Sequence, residues 1–291
     1  MKPYFAIDIG TNSCRLLIAE NRGHSLHALK RHMEITRIGE GLYASQRLQP
    51  AAITRTLDCL RSFQAILAEW NAEPGRAFAT AAVRDALNGI EFLQRCQAEL
   101  GLTVELLSSE EEARLSYRGA LQSLELNGPP LLIDLGGGSC EFIRPDLHLL
   151  CSLALGAVRA YEQKLTPKAI ATILQPLQSY KHQLGTAPVV IVGGTASSLV
   201  AIHLGLEEFC SELIQGQYLS QAQVRTLYQN LSHMSLQQLR QLPGLQPERA
   251  DIIVYGTMIM LTIMEELNIS HYCVSESDLM EGAILSLITT P

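Results

Sequence analysis

Polar and apolar positions alternate with a short period at the start of the chain. Residues 3 to 38 read as YFAIDIG, CRLLIAE, SLHALKR and EITRIG, separated by polar bends such as TNS, which predicts a β-meander. From Pro50 the spacing changes to three and four, with Ile53, Leu57, Leu60, Phe63, Leu67 and Trp70 on one stripe, and this predicts an amphipathic helix. Apolar strands at RAFATAA and TVELLS then alternate with helices over about 88–100 and 109–126. After LNGPP (126–130) the order recurs: LLIDLGGG, CEFIRP, LLCSLAL, helices over about 156–183, VVIVGG, helices to about 268, HYCVSE, and a last helix over about 278–289. Strands alternating with helices predict an α/β fold. The Asn-Gly and Pro-Pro seam predicts two domains, 1–126 and 127–291, with the C-terminal helix of about 278–291 able to fold back on the first.

One stretch is written twice. IDIGTNSCRLLIA at 7–19 and IDLGGGSCEFIRP at 133–145 share Ile7/Ile133, Asp8/Asp134, Gly10/Gly136, Ser13/Ser139 and Cys14/Cys140. A strand that ends in Asp and turns through Gly, Ser, Thr or Asn into a second strand exposes backbone N–H groups. Such amides form an anion-binding concavity, and glycine lets a phosphate come close. The aspartates repel phosphate, so their natural partner is a hard divalent cation, Mg²⁺. A third anion-friendly place is VGGTASSL, where a strand runs through Gly193-Gly194 into a helix start.

Composition narrows the setting. At 291 residues with 47% hydrophobic and 18% charged content, the chain can bury one large core or two ordinary ones. Seven cysteines lie far apart without a CxxC, which argues against a zinc site or disulfide framework and for a reducing cytoplasm. MKPYFAIDIG enters a strand pattern at once and shows no export leader. The most apolar run, about 252–264, is too short to span a bilayer and is expected as a buried helix, so no membrane partner is expected. The net charge of −7 and the lack of a basic run argue against a nucleic-acid polymer as partner. A polyanionic small molecule must then be held by a local site, which screening over about 8–10 Å allows.

Two segments carry candidate chemistry with two readings each. In LLSSEEEARLSYRG (106–119), Ser109 and Glu112 have the spacing of a capping box; alternatively one carboxylate orients a water for attack on phosphorus. In ATAAVRDALNGIEFL (79–93), Arg84 is either solvated and paired to a neighbour such as Asp85, or a planar fork for phosphoryl oxygens.

Taken together, AIDIGTNSCRLLI, ATAAVRDALNGIEFL, SSEEEARLSYRGA, LIDLGGGSCEF, SLALGAVR, IVGGTASSL and ERADIIVYG resemble the exopolyphosphatase / guanosine pentaphosphate phosphatase (Ppx-GppA) family, nearly end to end. The resemblance implies two actin-like (ribonuclease H-like, ASKHA superfamily) domains with an interdomain cleft. It also implies Mg²⁺ dependence and hydrolysis of a terminal phosphoanhydride of polyphosphate or pppGpp. Carried over, Glu112 matches the catalytic carboxylate, with Glu111 as second choice, and Arg84 matches the motif arginine. Asp8 and Asp134 match the acidic pair, Asp134 being the first choice for the metal. Thr11, Asn12, Ser13, Gly136, Gly137, Gly138 and Ser139 match the phosphate loops, and Gly193, Gly194 and Thr195 the third loop.

The chain departs from that pattern in three places. Cys140-Glu141 stands where the family has Thr-Glu, and Asp278-Leu279-Met280-Glu281-Gly282 stands where it reads Gly-Leu-Arg-Glu-Gly. Longer relatives add C-terminal helical domains that extend the polyphosphate channel, and the end of this sequence at the second actin-like domain leads us to expect shorter chains, less processivity or a nucleotide. Two other readings use the same loops: an actin-like kinase or ATPase, and a non-catalytic sensor of pppGpp or polyphosphate. The apolar C-terminal helices suit a homodimer as well as a core.

Overall fold

The computed structural model describes residues 2–23, 26–122 and 124–288. The chain divides into two compact units, Met1–Ser123 with Ser277–Pro291, and Leu124–Glu276. The second unit therefore ends at Glu276, not at residue 291 as the linear division has it.

In the first unit β1 (Tyr4–Ile9), β2 (Cys14–Asn21) and β3 (Leu26–Glu34) form an antiparallel meander. α1 (Leu42–Ser45) and α2 (Pro50–Trp70) follow, and then β4 (Gly75–Ala79), α3 (Ala81–Asp85), α4 (Gly89–Leu100), β5 (Glu105–Leu106) and α5 (Ser109–Leu121). The sheet order is β3-β2-β1-β4-β5, with β1, β4 and β5 parallel. The expected third and fourth strands are one. Nothing between Lys30 and Glu34 breaks the chain, and β3 pairs with β2 from Asn21↔Leu26 to Cys14↔Glu34 across one irregularity at Ile18/Ala19. The helical stripe predicted from Pro50 is buried through Ile53, Leu57, Leu60 and Phe63, but Trp70 is 39% exposed. It sits at the last position of α2, just before Asn71 ends the helix in a left-handed conformation.

Period-two alternation sends successive strand residues to opposite faces. Ile7, Ile9, Cys14, Leu16 and Ile18 face a core built with Leu57, Leu60, Phe63 and Phe92 from α2 and α4. Ala6, Leu17 and Ala19 face Leu115 of α5 and Leu279, Met280, Ala283 and Ile284 of α14 (Leu279–Ile288). By the same alternation Asp8 and Arg15 lie on the α5/α14 face. The last helix thus supplies half a core to the unit that begins the chain.

The second unit repeats the plan. β6 (Leu131–Leu135), β7 (Cys140–Arg144) and β8 (Leu149–Leu153) form the meander. The helices expected over 156–183 are α6 (Ala157–Gln163), α7 (Pro167–Ile173), a 3₁₀ turn and α8 (Lys181–Gly185). β9 (Val189–Val192) leads into α9 (Gly194–Leu204) and α10 (Ser211–Ile214). A short strand the sequence did not signal, β10 (Tyr218–Ser220), precedes α11 (Gln221–Ser232), α12 (Leu236–Arg240), α13 (Ile253–Glu266) and β11 (His271–Val274). The order β10-β11-β9-β6-β7-β8 mirrors the first sheet with β10 added at the edge, and β6, β9 and β11 are parallel. α13, the apolar run, is buried from Gly256 to Met264. Among the described residues no helix is long and apolar enough to cross a membrane.

α5 and α14 touch backbone to backbone. A Cβ on Gly119 would overlap the carbonyl of Asp278, and one on Gly282 would overlap that of Leu115. Gly282→Ala should therefore force the helices apart at a cost of about 1–3 kcal/mol. Thermal unfolding checks this, with an expected fall in Tm of about 2–4 °C per kcal/mol. An unchanged Tm would show that this helix pair does not hold the unit.

Candidate active site

In open α/β sheets ligands bind beyond the carboxyl ends of parallel strands. In the first unit those ends carry Gly10–Ser13 after β1, Thr80–Arg84 after β4 and Leu107–Glu112 after β5. Thr80 N donates to Ile9 O (3.3 Å) and Leu107 N to Ala79 O (3.1 Å), so all three segments leave the sheet along one edge.

The first loop closes as a hairpin, with Gly10 N donating to Ser13 O at 3.0 Å. Its carbonyls are taken from behind: Asn12 O accepts from Arg37 N (2.9 Å) and Thr11 O from Gly39 N (3.0 Å). Nothing among the described residues accepts from the amides of Thr11, Asn12 and Ser13. What the loop retains for a ligand is donors, the requirement for an anion site. Asn12, only 8% exposed, also keeps its side-chain Nδ2 without a partner.

The second unit builds the same device. Gly136 N donates to Ser139 O at 3.1 Å. Gly136 O accepts from Ala157 N (3.1 Å), Gly137 O from Val158 N (2.9 Å) and Arg159 N (3.0 Å), and Gly138 O from Arg159 Nε (2.7 Å). The segment that does this is GAVR (156–159), noted in the sequence only as part of a motif. No partner accepts from the amides of Gly137, Gly138 and Ser139 among the described residues. The third loop is the turn from β9 into α9. Gly193 sits at φ 109° with no room for a Cβ beside Leu135 O, and the Arg249 guanidinium lies against Gly194.

The three glutamates of α5 are separated by helix geometry. Ser108, not Ser109, is the N-cap, and its side chain accepts from Glu111 N at 3.2 Å. The capping box expected between Ser109 and Glu112 does not form, because the helix starts one residue earlier than that box requires. Glu110 pairs with Arg114 at the surface (2.6 Å), and Glu111 pairs with Arg76 (2.9 Å), which also holds Glu105. Glu112 turns inward. It is 7% exposed and accepts from Arg84 Nη1 at 3.0 Å. The same Nη1 donates to Leu107 O at 2.9 Å, which fixes the guanidinium across the edge of the sheet. Of the two candidate carboxylates, Glu112 is the buried one, with Arg84 beside it.

Asp8 and Asp134 occupy matching places with opposite neighbours. Asp8 stands opposite Arg15 in register, and Arg15 donates to Asp8 Oδ2 through Nε (2.9 Å) and Nη2 (2.5 Å). Asp8 Oδ1 is buried without a partner. Burial raises the Asp8 carboxyl above its ordinary value, against the pull of the Arg15 charge. Asp134 stands opposite Glu141, a buried residue that also accepts from Ser152 Oγ at 2.7 Å. Like charges directly opposite each other in a sheet are costly. A divalent cation would turn that cost into a gain. Mg²⁺ commonly takes one or two protein carboxylates and completes its shell with water and phosphate oxygens. Within the second unit the Asp134–Glu141 pair fits that ion, and within the first the buried, unpartnered Asp8 Oδ1 is an acceptor of the same kind, although no group of three ligating side chains gathers among the described residues. Glu141 and Arg15 were missed as candidates in the sequence; their signal was a charge inside otherwise apolar strands, CEFI and CRLLIA.

Cys14 and Cys140, which follow the loops, are fully buried, and burial pushes both thiols up. They are packing groups, and Cys140 in place of the family's threonine points into the core.

A duplicated hairpin that offers amide donors, with acid at the strand ends, defines a phosphate-handling protein of the actin-like class. Comparison with known proteins agrees. The Ppx/GppA phosphatase family matches residues 17–290, and the chain belongs to that family. It is 32% identical over 311 residues to exopolyphosphatase 2 of Mycobacterium tuberculosis, with 97% of each chain covered. The structure of the Aquifex aeolicus PPX-GPPA enzyme is 28% identical and superposes at TM-score 0.79, covering 98% of this chain and 99% of that one. An exopolyphosphatase from Cytophaga hutchinsonii, at 24% identity and TM-score 0.88 over 98% and 97%, supports the fold alone.

The raised Asp8 carboxyl has a consequence for stability. The folded state keeps this proton more tightly than the unfolded chain, so Asp8 subtracts stability as pH rises from 3.8 through its raised folded value. Thermal melts of the wild type and Asp8→Asn across this acid range should show the wild type losing ground to the variant with rising pH. A constant difference would refute the shift.

Proposed function

We propose that the protein is a Mg²⁺-dependent phosphohydrolase that removes the terminal phosphate of inorganic polyphosphate by attack of water. The 5′ end of pppGpp offers the same anhydride as a second substrate. The observation that supports this most is the inward-turned Glu112, held by Arg84 at the strand edge that carries the first amide loop. The polyphosphate substrate is supported by the relation to exopolyphosphatase 2 of Mycobacterium tuberculosis. Seven free thiols fit work in a reducing cytoplasm.

Phosphoryl transfer needs mainly positioning and charge stabilisation. The amides of Thr11, Asn12 and Ser13, and those of Gly137, Gly138 and Ser139, bind phosphate oxygens at the loop of each unit. Gly193, Gly194 and Thr195 add the turn at the start of α9. Glu112 accepts a hydrogen bond from the attacking water and orients it in line with the anhydride. Arg84, fixed by Leu107 O and Glu112, meets charge on the transferred phosphoryl. In the second unit Asp134 with Glu141 would hold Mg²⁺, which when bound supplies charge neutralisation at the phosphates, and in the first unit Asp8 Oδ1 is the carboxylate oxygen available to such an ion.

Phosphate release from long polyphosphate, short polyphosphate, pppGpp and ATP, with Mg²⁺ and with EDTA, tests this reading. Release from polyphosphate should vanish with EDTA. Glu112→Gln should lower it roughly 10²–10⁴-fold and Arg84→Ala roughly 10²–10³-fold, while Glu111→Gln, which alters only an ion pair with Arg76, should stay within about twofold of the wild type. Full activity in Glu112→Gln would remove the assignment. Silence on all four substrates, with binding retained, would make the protein a sensor.

A further inference from the structure

Arg15 is shared by two carboxylates, and the second of them comes from 263 residues away in sequence. While Nε and Nη2 hold Asp8 Oδ2, Nη1 donates to Asp278 Oδ2. Asp278 is 6% exposed and is itself fixed: its Oδ1 accepts from Met280 N (3.2 Å), and its own amide donates to Glu281 Oε2 (2.9 Å). This is a reciprocal cap at the start of α14. Glu281 in turn accepts from Arg31, so that pair cancels its own charge. Met280 is buried in the core between sheet and helix.

Charge counting gives the consequence. Arg15 with Asp8 alone would be neutral, whereas two carboxylates on one guanidinium leave a net charge of about −1 in a low-dielectric place. The atom of this trio left without a partner is Asp8 Oδ1, on a residue only 4% exposed at the head of the first loop. An orphaned buried acceptor in an anionic cluster calls for a donor or a cation. We propose that Asp278 is a positioning residue: through Arg15 it fixes the Asp8 carboxylate with Oδ1 unpartnered and keeps the cluster anionic toward a divalent cation that accompanies the phosphate. The inference rests on the phosphohydrolase reading for the identity of the ligand.

Asp278→Asn keeps the shape and the cap while it removes the charge; Asp278→Gly removes both. Binding of Mn²⁺, followed by electron paramagnetic resonance with imidodiphosphate present, reads the cation without turnover. Asp278→Asn should weaken Mn²⁺ binding roughly tenfold with Tm close to wild type, and Asp278→Gly should weaken it at least as much with a lower Tm. In phosphate release, the loss should fall on the Mg²⁺ concentration needed rather than on the rate reached at saturation. Unchanged Mn²⁺ affinity in Asp278→Asn, loss only in step with falling Tm, or no Mn²⁺ binding by the wild type would each overturn the proposal. A protein that shows the expected Mn²⁺ pattern yet releases no phosphate would instead overturn the hydrolase reading and leave the cation role standing.

Discussion

A loop that receives phosphate must present donors and hide acceptors, and in this protein that condition is met by main chain from another segment. Residues 37–39 take the carbonyls of Thr11 and Asn12, and residues 157–159 take those of Gly136 and Gly137, with the Arg159 side chain on Gly138. Without this backing the peptide units could rotate, and the carbonyl oxygens, which repel phosphate, would compete with the amides for the same space. Loop glycines supply permissive geometry, but the backing decides which way the peptides face. The two units reach this by different means, an irregular turn in one and a helix start in the other, on a shared hairpin closed by the same Gly-to-Ser bond.

Strand alternation then places the charges. Asp8 and Asp134 end matching strands and oppose residues 15 and 141 in matching registers. An arginine stands at one of these positions and a glutamate at the other. The first unit therefore pairs Asp8 with Arg15, while Asp278 on the same guanidinium leaves the trio net negative. The second puts two carboxylates face to face, an arrangement a cation would relieve. One scaffold with one substitution in register yields two electrostatic sites of different character, and local arrangements of this kind are what would let a protein of net charge −7 accommodate a polyanion.

The fold places α14 at the centre of this. It enters the first unit after the whole second unit has been built, caps itself on Asp278 and Glu281, and meets α5 at Gly119 and Gly282 with almost no side-chain space between. α5 also carries Glu112 at its first turn. The surface that supports the candidate catalytic carboxylate and the residue that braces Asp8 are thus parts of one helix pair. Gathering an arginine with two acids is costly unless their hydrogen bonds are made; here β1, β2 and the start of α14 supply the partners, and Asp8 Oδ1 alone of the trio is left without one.

Local pattern was enough for much of this. The duplicated Asp-loop-strand unit, the strand-helix alternation, the amphipathic face of α2 and the cysteine usage are carried by neighbours in sequence, and the loops follow because glycine and small polar residues between apolar strands mark turns. The sequence left open whether Glu111 or Glu112 faces inward, since one residue rotates a helical side chain by about 100° and the choice depends on which serine caps the helix, Ser108 rather than Ser109, and on Arg76 from β4 and Arg84 from α3. It also gave no means of knowing that Asp278 would meet Arg15, or that residues 37–39 and 157–159 would back the loops. Those contacts join segments whose separation along the chain carries no local signal, and only the packing of sheets and helices brings them together.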